Sequence, residues 1–370
     1  MRLFNAYPLV RPFLFRLDPE TAHHLALAAL KKGFGPRGTA KAKFKANTRS
    51  QDEDDSILST VVCGLDFPNP VGLAAGFDKQ CEVMGEVLAF GFGFIEVGTI
   101  TPLPQPGNPQ PRLFRVPEAK AIINRFGFNS DGLAICARRL GAWRDTGAHM
   151  RPGLVGINLG KNRESQDAVA DYVTGVKAFA PHADYLTVNI SSPNTVGLRD
   201  LQGRAEMAEL LKAVVRAREA VPQKPPLFVK IAPDLTEAQE EDIGAVALET
   251  GIEGMIIGNT TISRPANIPS EVAKEPGGLS GQPLARMSTE LVGRMYKRLK
   301  GRVALVGVGG IASGQDAYAK IRAGASLVQI YTGLIYEGPA LVPRIKRDLA
   351  ALLRRDGFAS IGEAVGADHR

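Results

Sequence analysis

The sequence predicts an α/β protein, a closed (β/α)8 TIM barrel with a small N-terminal helical extension, on three observations. From residue 70 onward, eight short apolar runs alternate with helical stretches. The runs are nearly continuous rather than alternating, as parallel strands covered on both faces require. Polar side chains otherwise rare in these runs gather where the runs end, the rim at which such a barrel carries its chemistry. A chain of 370 residues, 44% hydrophobic, is long enough for this domain and an appendage.

The extension comes first. Asp18-Pro19-Glu20 supplies an N-cap, a proline at the first helical position and acid in the first turn, so a helix should run to about Lys32. Ahead of it Val10, Phe13, Leu14 and Leu17 fall at helical spacing, with Pro12 obscuring where that helix starts. Phe4, Phe13, Phe15, Leu25 and Leu30 make the apolar faces, and Arg2, Arg11, Arg16, Lys31 and Lys32 a cationic rim. That pattern suits a helix pair lying in an anionic lipid interface; plain docking onto the main domain is the other reading. The charge agrees with its placement, because residues 1–50 hold ten Lys/Arg against Asp18 and Glu20, so the net +7 of the whole chain is N-terminal. Phenylalanines would be poorly used on phosphates, and no nucleic-acid partner is expected. Residues 34–56 read as a linker, which divides the chain into a membrane-facing segment, 1–45, and a catalytic domain, 46–370. No apolar run reaches the roughly 18 to 20 residues that span a bilayer, and no signal-peptide pattern opens the chain.

The eight expected strands are VGLAAG (71–76), FIEVGT (94–99), GLVGINLG (153–160), YLTVNI (185–190), LFVKIA (227–232), GMIIGN (254–259), VALVGVG (303–309) and SLVQIYT (326–332). Lys79 follows the first, Thr99 ends the second and Asn158 sits late in the third. Asn189, Ser191, Ser192 and Asn194 close the fourth, and Lys230 lies in the fifth. Asn259, Thr260 and Thr261 end the sixth, Gly307, Gly309 and Gly310 the seventh, and Tyr331 and Thr332 the eighth. A single asparagine here is an ordinary strand cap; a concentration on this many strand ends points to a site.

The three cysteines show no CxxC spacing and the five histidines no ligand spacing, so neither a disulfide framework nor a metal is expected. Glycines in GVGGIASG and TGLIYEG let backbone N–H groups approach a phosphate. GVGGIA formally matches a dinucleotide fingerprint, but LVQI at 327–330 lacks the acid such a site needs, which argues against NAD. GGLSG, 277–281, reads as a further glycine-rich loop. Lys230 has two chemical readings, a Schiff base with a carbonyl substrate or a positive charge beside a flavin ring. Asp234 and Glu237, the possible acid/base partners of a Schiff base, fall in the following loop and helix. The amides of Asn158, Asn189, Asn194 and Asn259 each offer a donor and an acceptor, which suits a planar ring bearing imides or ureas.

NPVGLAAGFDK, FIEVGTITPLPQPGNPQPRLFR, INRFGFNSDG, VNISSPNTVGLRDLQ, KIAPDL, NTT, GGLSG, GVGGI and YTGLIYEGP resemble dihydroorotate dehydrogenase of the membrane-associated, quinone-dependent class, in family order from Tyr7 to the last strand. The resemblance implies oxidation of dihydroorotate to orotate on one FMN, with a membrane quinone as final acceptor, in pyrimidine biosynthesis. It implies Ser192 as the base that takes the C5 proton while the C6 hydride goes to the flavin; the cytosolic class has cysteine there. Thr195 with a water is the relay hypothesised for that proton. Lys79, Asn124, Asn189, Asn194, Asn259 and Thr260 are implied to hold the substrate, with Asn124, Arg125, Phe126, Gly127 and Phe128 closing over it. Ala75, Gly76, Thr99, Asn158, Asn189, Lys230, Gly281, Gly310, Tyr331 and Thr332 are implied to line FMN, which favours the flavin reading of Lys230. Gly258 stands where members often carry Thr or Ser, leaving a backbone contact to FMN. His23, Arg115 and Tyr331 are expected at the quinone. A monomer, peripheral on the cytoplasmic side of a bacterial-type membrane, is the expected setting. The rivals are a Schiff-base lyase using Lys230, another FMN-dependent barrel oxidoreductase, and a non-catalytic membrane scaffold. The scaffold leaves the polar rim unexplained.

Overall fold

The computed structural model describes residues 7–35, 54–147, 153–266 and 268–370. Phe4, Arg2 and most of the expected linker lie outside the described residues. β1 (Thr60–Val62) and β2 (Leu65–Phe67) form an antiparallel hairpin. The barrel follows: β3 (Val71–Leu73), β4 (Phe94–Ile100), then, after β5 (Leu113–Val116) and β6 (Ala121–Asn124), β7 (Leu154–Leu159), β8 (Tyr185–Asn189), β9 (Leu227–Ile231) and β10 (Gly254–Ile257). β11 (Gly278–Gly281) interrupts before β12 (Ala304–Val308) and β13 (Leu327–Ile330). Eight parallel strands close in the order β10-β12-β13-β3-β4-β7-β8-β9, with at least one helix following each before the next barrel strand or the end of the chain. The expected fold is the observed one.

Several strands stop earlier than the apolar runs. β10 ends at Ile257 because Gly258 turns to φ +106°, where a Cβ would meet the Val308 carbonyl at 2.9 Å. Tyr331 and Thr332 do not extend β13; Thr332 opens the helix Thr332–Glu337.

The floor of the barrel is packed by size. Phe94, Tyr185 and Phe228 point inward at the strand starts, each over a glycine of a neighbouring strand. A Cβ on Gly72 would meet Phe94 at 2.3 Å, one on Gly156 would meet Tyr185 at 2.0 Å, and one on Gly254 would meet Phe228 at 2.6 Å. Val62 and Phe67 of the hairpin join this cluster, with the Phe67 and Phe94 rings 5.3 Å apart edge to face. The floor is therefore filled by side chains, and the buried polar groups Glu96, Asn158, Thr187 and Lys230 lie further along the same strands.

GGLSG is a strand, correcting the loop expectation. It pairs antiparallel with β6, Gly278 opposite Asn124, and β6 pairs with β5, giving a three-stranded sheet. Val116, Ala121, Ile123, Ile268 and Leu279 form a small core beneath it. This sheet carries Asn124.

The N-terminal segment folds as two helices, α1 (Tyr7–Leu14) and α2 (Pro19–Lys31). Asp18 caps α2 by accepting from Thr21 N–H at 2.9 Å, as expected. Pro12 lies inside α1; the bond its missing N–H forfeits is one to Pro8, in the first turn of a short helix. The pair is docked through polar joints. The Tyr7 hydroxyl donates to the Ile335 carbonyl, Arg11 donates to the Tyr336 carbonyl at 2.9 Å, and Arg112 grips Glu20 through Nε and Nη2, the closest approach 2.7 Å. Ala22, Leu27 and Leu30 are buried, so Leu30 belongs to the docked side rather than the outer face. Leu9, Val10, Phe13, Leu17 and Leu25 are exposed, Phe13 by 67%. Such a row of large apolar side chains on one helix pair leaves a face without a protein partner among the described residues.

Candidate active site

Above the aromatic floor sits a carboxylate. Glu96, fully buried on β4, accepts from Asn158 Nδ2 at 2.7 Å, Thr187 Oγ1 at 3.1 Å, Gln329 Nε2 at 3.1 Å and the Tyr185 hydroxyl at 3.2 Å. Lys230 Nζ lies 3.9 Å from it. Burial holds the Lys230 ammonium below the usual lysine range, and Glu96 is the charge that opposes this. Burial, reinforced by Glu96, pushes the Tyr185 phenol well up, keeping it a donor. Asp234 is not turned to Lys230; it binds Arg199 at 3.0 Å and accepts from the Thr261 hydroxyl. The acid/base partner required by the Schiff-base reading is therefore occupied elsewhere.

The next layer is made of amides. Thr99 Oγ1 donates to Asn158 Oδ1 at 2.6 Å, and Asn189 Nδ2 reaches the same oxygen at 3.0 Å. Asn189 Oδ1 accepts from Ser191 Oγ at 2.7 Å, and Ser191 Oγ accepts from Asn259 Nδ2 at 2.8 Å. Thus β4, β7, β8 and β10 present one connected polar surface at the mouth. Ser192, 7% exposed, lies beside it, with its Oγ accepting from Asn194 N–H at 3.3 Å. Asn194 Nδ2 in turn donates to Asn124 Oδ1 at 3.3 Å, bringing the small sheet to the site. Thr260 Oγ1 and Thr195 Oγ1 are buried without a protein partner. A Cβ on Gly278 would strike Thr260 Oγ1 at 1.8 Å and approach Pro193 at 3.2 Å, so only glycine lets the sheet close this tightly on the rim.

Lys79 approaches from the end of β3, its ammonium 4.1 Å from the centre of the Phe126 ring. Burial brings its pKa down to about 8; Arg112 adds to this, while Glu20 and Asp78 oppose it. The stretch from Asn124 to Phe128 is held by Gln105, which donates to the Phe128 carbonyl at 2.9 Å, and by Asn108, which donates to the Arg125 carbonyl at 2.9 Å. Within this stretch the Arg125 guanidinium binds Glu275 at 2.7 Å and lies over Phe114.

Of the expected cofactor positions, Tyr331 donates to the Gly76 carbonyl at 3.0 Å, Thr332 Oγ1 donates to Ser280 Oγ at 2.8 Å, and Gly281 and Gly310 pack against Ala121 and Ala285. Toward the extension, the His23 ring is 5.5 Å from Phe77, and Phe77 is 6.3 Å from Tyr331, an edge-on aromatic path from α2 to the barrel mouth. Burial holds the His23 imidazole well below its ordinary pKa, with help from the Lys79 charge. Arg115 donates to the Leu17 carbonyl at 2.8 Å and to the Leu14 carbonyl at 3.3 Å, binding the turn between α1 and α2.

The family model described as dihydroorotate dehydrogenase matches residues 57–353. The dihydroorotate dehydrogenase (quinone) of Xanthobacter autotrophicus is 56% identical over 99% of this chain and 100% of its own length. The mitochondrial dihydroorotate dehydrogenase (quinone) of Mus musculus is 51% identical over 96% of this chain and 88% of its own. The crystal structure of DHODH from Eimeria tenella in complex with ferulenol superposes with a TM-score of 0.89 at 43% identity, covering 97% of this chain and 99% of that one.

The chain belongs to the dihydroorotate dehydrogenase family.

Dihydroorotate dehydrogenases are flavin-dependent, and the residues here fit a flavin. A ring with carbonyl and N–H edges matches the amide layer, a cation waits at Lys230, and Thr260 Oγ1 is a buried polar atom lacking a partner. Two residues escaped the sequence reading. Glu96 was legible as the single acid inside FIEVGT, because a charge within a strand buried on both faces needs a partner. Arg199, which donates to the Ser191 carbonyl and the Thr260 carbonyl, each at 3.0 Å, left no pattern in sequence.

Proposed function

We propose that this chain oxidises dihydroorotate to orotate on FMN and passes the electrons to a membrane quinone, as a step of pyrimidine biosynthesis. The observation that carries the reading is Ser192, a nearly buried hydroxyl at the end of β8 beside a connected set of amides. When bound, the flavin supplies the two-electron acceptor. Lys79 attracts the substrate carboxylate, and Asn124, Asn189, Asn194, Asn259 and Thr260 orient the ring with paired donors and acceptors. The stretch from Asn124 to Phe128 keeps water from the reacting face. Ser192 Oγ takes the C5 proton and passes it on, because a serine is a poor base that cannot hold it. Thr195 Oγ1, buried and unpartnered, is the next station through one water. Ala75, Gly76, Thr99, Asn158, Lys230, Gly258, Gly281, Gly310, Tyr331 and Thr332 form the FMN site, with the glycines toward its phosphate.

The quinone is received between α2 and the barrel, at His23, Arg115 and Tyr331, with the exposed face of α1 and α2 resting on anionic lipid. Residues 1–45 act as this access segment and 46–370 as the catalytic domain, in a monomer on the cytoplasmic side of the membrane. Among the described residues no helix is long and apolar enough to cross a membrane. An anaerobic visible spectrum with and without dihydroorotate tests the reading. Flavin absorbance should bleach in the parent, and about 10²- to 10⁴-fold more slowly in Ser192→Ala. A flavin untouched by dihydroorotate would refute the substrate.

A further inference from the structure

Lys230 stands at a place where charge is costly. It is buried, and of the titratable groups around it, Tyr185 stays neutral and Glu96 alone carries opposite charge. Glu96 in turn is fully enclosed, with four neutral donors on its two oxygens. An isolated buried ammonium would release its proton rather than remain charged. Neither ion is placed to meet solvent, so each depends on the other.

We propose that Glu96 is a positioning residue for redox chemistry: it is the counter-ion that keeps Lys230 cationic before reduction, so that the positive charge is already in place when the flavin becomes anionic. The inference rests on the proposed function only in taking a flavin ring to cover Lys230. Reduction then draws no proton to Lys230, and the pair below the ring changes its charge state in neither direction. Without Glu96 the lysine is neutral over the oxidised flavin and takes up a proton as electrons arrive.

Glu96→Gln isolates this charge. Glutamine keeps the volume and an acceptor for Asn158 Nδ2, its amide nitrogen can face the Tyr185 and Thr187 hydroxyls, which also accept, and the Gln329 amide can turn to present its Oε1, which is buried without a partner, in place of Nε2. The measurement is the midpoint potential of the bound flavin against pH, by dithionite titration of the holoenzyme. In Glu96→Gln the reduction equilibrium should gain one more proton, an extra tenfold per pH unit, which for a two-electron couple is about 30 mV per unit. The double variant Glu96→Gln/Lys230→Met, having no lysine to protonate, should return to the parent slope. A Glu96→Gln slope equal to the parent's overturns the proposal, and so does a double variant that keeps the steeper slope. If Glu96→Gln does not fold while the double variant does, the dependence of Lys230 on Glu96 appears as stability instead; if both variants fold equally well, the slopes decide. Dihydroorotate takes no part in the titration, so a parent flavin that dihydroorotate fails to bleach would refute the substrate reading and leave this test standing.

Discussion

Ser192 and Phe13 sit in opposite surroundings: the first is 7% exposed within a set of hydrogen bonds spanning several strands, the second 67% exposed on a short helix with no buried residue. At the barrel mouth the amides of Asn158, Asn189 and Asn259 are held by one another and by neighbouring hydroxyls, so their geometry is fixed before any ligand arrives, as transition-state stabilisation demands, while the Thr195 and Thr260 hydroxyls are left without a protein partner. On α1 and α2 only the inner side is finished, by Glu20 with Arg112 and by Tyr7 and Arg11. The difference separates two kinds of region, one whose polar groups are linked to one another and one whose apolar face no described residue covers.

The sharpest way to break this comparison is at the joint between the two regions. Glu20→Gln leaves the Arg112 charge without its carboxylate in a buried setting and should cost about 3 kcal/mol of stability, read from the urea midpoint. A change within a few tenths of a kcal/mol would mean that the helix pair is merely laid on the barrel. The outer face is tested by Leu9→Asp/Phe13→Asp. Losing two apolar anchors should weaken binding to anionic vesicles by about thirtyfold, while the rate of dihydroorotate-dependent flavin bleaching stays unchanged. Undiminished vesicle binding would assign that face to something other than lipid.

The smallest effect belongs to the finished site. The Lys79 ammonium, brought down to about 8, is charged and attracts a carboxylate below that pH and is neutral above it. So kcat/KM for dihydroorotate should fall as pH rises through 8, by about tenfold at pH 9, and a Lys79→Met variant should lack this limb. A parent profile flat to pH 9 would remove Lys79 from substrate capture.

The barrel was legible because each strand is covered on both faces and reads as a nearly continuous apolar run, bounded by glycine or a polar cap. The small sheet was not, for a physical reason: Gly278–Gly281 gains its strand conformation from β6, more than 150 residues away, and GGLSG has no intrinsic strand preference. Rim residues such as Asn189 and Asn259 were legible as polar groups at strand ends. Arg199 was hidden because it acts by donating to backbone carbonyls, and any carbonyl looks alike in sequence.

The glycine and aromatic floor carries a consequence for how this protein can change over generations. Tyr185 occupies the space a side chain at Gly156 would need, and Phe94 and Phe228 do the same to Gly72 and Gly254. A single step at any of these six positions meets either a collision or a hole, so the floor can be rewritten only by paired exchanges between strands. Variation in the lineage should therefore bypass the foundation and accumulate on the outer helices, and an engineer enlarging the barrel from below would have to alter both members of a pair in the same step.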